Sequence, residues 1–179
     1  MKLTSTKNWK GFLGVGLVIA ALVAGGCTVH GGGVVFMNVV DTGLEAGTPT
    51  DVNVAVSFVC NDNTNEARSI IHVTDTTNGA NFTARLPWTP LSEIGPFGTC
   101  EQAAAAASSE GTAFAVGLIN SRGQESGTAE LTVSAPGEGF EACGDQQSVI
   151  IDATGSEDVL PGGSYHAEGC LDRGRINFP

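Results

Sequence analysis

Basic residues are scarce in this chain and unevenly placed. Only eight of 179 residues are Lys or Arg, against nineteen Asp and Glu, which gives a formal charge of −11. The lysines, Lys2, Lys7 and Lys10, all fall at the start, and beyond them the basic side chains are Arg68, Arg85, Arg122, Arg173 and Arg175. Nucleic-acid binding draws its affinity from Lys and Arg against phosphate, so this balance excludes it. Aromatic residues make up 6%, with one tyrosine and two tryptophans. No apolar run reaches the ~20 residues that a membrane-crossing helix needs. There is no C-x-x-C pair, and the three histidines, His30, His72 and His166, are not spaced as a zinc site would have them. A G-x-S-x-G nucleophile elbow is also missing, because Gly162-Gly163-Ser164-Tyr165-His166 ends in His.

What is present first is an address. The three lysines precede an apolar stretch, Gly11 to Ala24, that ends in Gly25-Gly26-Cys27. A basic leader, a short hydrophobic run and small residues before a cut describe a secretory signal peptide over residues 1–26. The small-small-Cys ending resembles the lipobox of bacterial lipoproteins, with Ala24 where that family usually carries Leu or Val. The resemblance implies cleavage before Cys27, lipidation of Cys27 and anchoring in the bacterial envelope. Thr28 after the modified Cys further implies the outer membrane of a Gram-negative host. Ordinary cleavage after Gly26 is the alternative.

Cysteine parity bears on the same choice. Five cysteines, Cys27, Cys60, Cys100, Cys143 and Cys170, would leave one thiol unpaired in an exported protein, whereas a lipidated Cys27 leaves an even set for two disulfides. Those four allow three pairings. Pairing sequence neighbours, Cys60 with Cys100 and Cys143 with Cys170, closes the shortest loops and is preferred.

Residues 27–33 read as a lipid-anchored, Gly-rich tether and residues 34–179 as one β-domain. Val52, Val54, Val56, Phe58 and Cys60 alternate with Asn53, Ala55, Ser57 and Val59, the period of a strand buried on one face. Asn78-Gly79 predicts a two-residue hairpin turn, with Val73 opposite Ala84 and Ile71 opposite Leu86. Further strands are predicted at Val34 to Val40, Ala113 to Ile119, Thr128 to Ser134, Ser148 to Asp152 and Arg175 to Phe178. Glu101 to Glu110, built on Ala103 to Ala107, is the one helical candidate. Leu86 to Gly98, with three prolines, reads as the longest irregular stretch. Many short strands separated by Gly, Pro, Asn and Asp predict an all-β sandwich or small barrel with two disulfides and at most one short helix. The run from Phe114 to Gly123, continuing to Leu131-Thr-Val, resembles part of the β-rich post-COAP accessory domains of exported bacterial proteins. That resemblance implies a β-fold without known catalytic function.

Few residues carry chemistry. His30-Gly31-Gly32-Gly33 spells the HGGG of lipase oxyanion holes, but the elbow that such chemistry requires is absent. His72 belongs to the polar face of its hairpin. His166 has Ser164, Glu168 and Asp172 nearby in sequence but no acceptor behind the imidazole that a relay would need. The loop Asn61 to Glu66 offers the oxygens a calcium ion takes, with Asp62 and Glu66 as ligands, yet it does not fit an EF-hand and also reads as a plain polar turn. Trp88 and Phe97 are the large aromatics of the Pro-rich segment and the candidates for partner contact. The expectation is a non-catalytic binding or structural module, held to the membrane by its lipid and facing a protein or other envelope component, without a cofactor. A hydrolase with a dispersed acidic site and a calcium-stabilised module are the alternatives.

Overall fold

The computed structural model describes residues 28–103, 112–119, 125–134, 136–137 and 143–177. Among these residues nine antiparallel strands form one sheet: β1 (Thr28–Thr42), β2 (Glu45–Ala46), β3 (Thr50–Asn61), β4 (Glu66–Asp75), β5 (Ala80–Pro90), β6 (Thr112–Ile119), β7 (Glu125–Ser134), β8 (Ser148–Gly155) and β9 (Ser164–Asn177). Apart from the short β2 at the margin, each strand neighbours the next in sequence, and β9 returns to pair with β1. This closing pair, from His30↔Asn177 to Thr42↔Tyr165, decides for a barrel over a sandwich. The thinnest seam is β5–β6, joined at Ala84↔Leu118 and Arg85↔Gly117.

Alternation sorts the strands into a dry inside and a wet outside. Val52, Val54, Val56, Phe58 and Cys60 are buried as their spacing predicts, and Ala67, Ile71 and Val73 of β4, Phe82 and Ala84 of β5, Leu131 and Val133 of β7, Val149 and Ile151 of β8 meet them. The outer face carries Asn53, Ser57, Arg68, His72, Glu130 and Asp152. Among the described residues this largely polar exterior is interrupted by exposed Phe36, Val39, Ile70 and Trp88.

The Gly-rich segment is corrected by the fold. Residues 28–33 are the first part of β1, paired on one side with β3 and on the other with β9. A Cβ on Gly33 would sit 1.8 Å from the Arg173 carbonyl oxygen, and one on Gly32 would sit 2.3 Å from that of Val54. Glycine is used here because two neighbouring backbones approach too closely for any side chain, not for freedom of movement. The barrel therefore begins at Thr28 rather than at residue 34.

The hairpin register also differs from expectation. β4 and β5 pair as Asp75↔Ala80, Val73↔Phe82 and Ile71↔Ala84, two residues away from the predicted match. The Asp75 carboxylate accepts hydrogen bonds from the Thr77 and Asn78 amides, each at 3.0 Å, and so organises a four-residue loop in place of a two-residue turn. A slip of two preserves the inward face, which is why the core was legible although the register was not.

Leu86 to Gly98 is more regular than its prolines suggested. β5 runs through Pro87 to Pro90, where a bulge sets Pro87 and Trp88 against Arg68. The helical turn α1 (Leu91–Ile94) then crosses the end of the barrel, the Leu91 amide donating to the Asn65 carbonyl at 2.9 Å with its side chain buried. Of the predicted helix Glu101 to Glu110, residues 101–103 are helical and the rest lies outside the described residues. The disulfides are Cys60–Cys100 and Cys143–Cys170.

Candidate functional site

A charged constellation lies on the outer face of β7, β8, β9 and β1. Register places Glu130 opposite Asp152, Asp152 opposite His166, and His166 opposite Asp41, a continuous row across four strands. His166 is gripped from two sides: its Nδ1 lies 2.6 Å from Asp152 Oδ1, and its Nε2 lies 3.1 Å from Glu168 Oε1. Burial alone would lower the imidazole pKa. The hydrogen bond and charge of Asp152, joined by those of Glu168, outweigh it, so the pKa rises from the ordinary 6.5.

This arrangement differs from the one read in the sequence. An acceptor does stand behind the imidazole, and it is Asp152, supplied by the neighbouring strand fourteen residues away. The result is still not a relay, because both ring nitrogens are engaged by carboxylates and neither is left to take a proton from a nucleophile. Ser164 opens β9 in an extended conformation rather than at a strand-to-helix elbow. Beside the row, a shallow groove of about 130 Å³ is lined by Thr128, Ala129, Glu130, Asp152 and Thr154. That volume is below the ~300 Å³ of the smallest usual ligand pockets.

Asp62 and Glu66 occupy the β3–β4 connection. The Asn63 amide donates to Asn61 Oδ1 at 3.0 Å, Asn65 takes a left-handed φ of 52°, and Glu66 enters the ladder opposite Asn61. Among the described residues, no three His, Cys, Asp or Glu side chains are grouped so as to hold a metal ion. His72 bonds Thr83 at 2.9 Å and Thr74 at 3.2 Å on the polar face, where the sequence put it. His30 is exposed on β1, and the glycines after it are strand residues rather than an oxyanion loop.

Trp88 and Phe97 separate. Phe97 packs partly against the core, whereas Trp88 remains 43% exposed with the Arg68 guanidinium 4.9 Å from its ring centroid. That cation–π contact joins residues twenty positions apart and has no signature in sequence. Cys27 and Arg122 lie outside the described residues. Comparison with family models, curated proteins and solved structures finds no match to this chain.

Proposed function

We propose that this protein is an exported bacterial envelope lipoprotein, anchored through Cys27, whose barrel is a non-catalytic binding or structural module. One observation carries the reading: both disulfides form among Cys60, Cys100, Cys143 and Cys170, so Cys27 is the single cysteine of five outside them. Two buried bridges support an oxidising compartment, and a leader that ends in small-small-Cys gives the remaining thiol its use as a lipid attachment point. The filled interior and the doubly engaged His166 favour a scaffold over a catalyst. Its partners are the membrane and, on the exposed face of the barrel, a protein or other envelope component. Outer-membrane placement follows from Thr28 if the host is Gram-negative.

Intact-mass analysis of protein isolated from a bacterial host tests the anchor. The expected amino terminus is a diacylglyceryl-modified Cys27, with partition into detergent that Cys27→Ala loses. An unmodified terminus, or detergent partition that survives Cys27→Ala, overturns it.

A further inference from the structure

We infer that the rim of the barrel around Arg68 and Trp88 is a membrane-contact surface, seating the Cys60–Cys100 end of the barrel on the phospholipid bilayer that holds Cys27. The inference rests on the acylation of Cys27 proposed above. Its geometry comes from strand register. Thr28, covalently next to Cys27, is the first residue of β1 and stands opposite Val59 of β3. Val59 in turn stands opposite Arg68 of β4. Neighbouring strands lie ~4.8 Å apart, so Arg68 is on the order of 10 Å from the start of β1. The β5 bulge then brings Trp88 beneath Arg68. Because β1 begins one residue after Cys27, no linker separates an acylated cysteine from this rim.

The chemistry suits a headgroup layer. Trp88 and Ile70 are each 43% exposed, and Ile70 shares the outer face of β4 with Arg68 and stands opposite Arg85. An indole with one apolar body and one N–H settles at the level of lipid headgroups, and guanidinium groups bind phosphate. Among the described residues, neither Arg68 nor Arg85 enters a salt bridge, so both charges are available. Asp62 and Glu66 of the adjoining turn, with Glu93 of α1 and Glu101 beside Cys100 at the same end, outweigh those two charges, so charge does not draw this rim to anionic lipid. The apolar side chains therefore lead the contact, and zwitterionic lipid suffices. The acidic row crosses β1 at Asp41, thirteen residues beyond Thr28 and about 40 Å along the strand, where it is held away from anionic headgroups.

Cleavage before Cys27 removes Trp9 and leaves Trp88 as the only tryptophan. The processed full protein is reconstituted in vesicles of phosphatidylethanolamine and phosphatidylglycerol, with and without brominated acyl chains, and the mass of its amino terminus is recorded on the same sample. The expected result is blue-shifted Trp88 emission that brominated lipid quenches. Leu44, 73% exposed at the opposite end of β1, supplies the control: Leu44→Trp in a Trp88→Phe background stays unquenched. An acylated Cys27 with unquenched Trp88, or equal quenching at both ends, overturns the seating and leaves the anchor intact. A terminus without acyl groups overturns the anchor, and the seating with it.

Discussion

The Tyr165 hydroxyl donates to Asp75 Oδ2 at 3.0 Å inside the barrel, joining β9 to the β4–β5 hairpin across ninety residues of sequence. The same carboxylate accepts from the amides of Thr77 and Asn78 and from Asn78 Nδ2 at 2.8 Å, so a fully buried Asp has four donors. Asn78 also bonds the Thr48 backbone in both directions, at 2.8 and 3.0 Å, and straps the β2–β3 loop across this end. Burial first, and the Asp75 carboxylate second, push the Tyr165 pKa far above its ordinary 10.0. A raised folded pKa means stability that is complete below the unfolded value and is lost as pH climbs toward the folded one. Since Tyr165 is the only tyrosine, phenolate absorbance should stay silent above pH 10.0 until the protein unfolds. Tyr165→Phe should cost about 1 kcal/mol and Asp75→Ala about 3 kcal/mol in denaturant titrations, because the latter orphans several donors at once.

His166 gives a second pH effect. The protonated ring is stabilised by Asp152 and Glu168, so its contribution is full below pH 6.5 and fades as pH rises through the elevated folded pKa. The difference in melting temperature between wild type and His166→Gln should therefore shrink from acid to neutral and alkaline pH. The side chains are well exposed, so the effect will be small, and salt will reduce it. A difference that grows with pH would contradict the clamp.

Gly33→Ala probes the closed seam between β1 and β9. The added methyl meets a carbonyl oxygen of the opposing backbone, which cannot rotate away, and a loss of about 3 kcal/mol is expected. At Gly98, a Cβ would approach only Gln102 Oε1, 3.3 Å away at the end of a long side chain that accepts from the Gly98 amide and can shift by a few tenths of an ångström, so Gly98→Ala should be tolerated. Equal melting of both variants would argue for a loose tether after all.

The two bridges close loops of 40 and 27 residues. Chain entropy alone then gives about 4 kcal/mol for Cys60–Cys100 and about 3.5 kcal/mol for Cys143–Cys170. Paired Cys→Ala replacements, followed by urea unfolding, should rank them in that order. Peptide mapping without reductant checks the connectivity.

Ser69 points the other way. Its hydroxyl is buried in the core and finds no hydrogen-bond partner among the described residues. Ser69→Ala removes an uncompensated polar group and should be neutral or stabilising by about 1 kcal/mol in the same titrations. A clear destabilisation would point to a bound water.

The inward faces of β3 and β4, the all-β class and the pairing of the four bridging cysteines were all legible in the sequence. Each depends on local pattern: a side-chain period of two, or the short loop between neighbouring cysteines. The glycine run was misread as a tether because composition alone cannot distinguish a flexible glycine from one wedged between two backbones. The prolines of β5 were likewise read as irregular, since a bulge that accommodates them exists only against its partner β4.

What the chain determined by itself was strand periodicity and the pairing of neighbouring cysteines, both properties of residues close in sequence. Barrel closure, the grip on His166, the Tyr165–Asp75 bond and the stacking of Arg68 on Trp88 were decided only by tertiary structure. Each joins strands whose register is fixed cooperatively by burying every inward face at once, and no single segment encodes that.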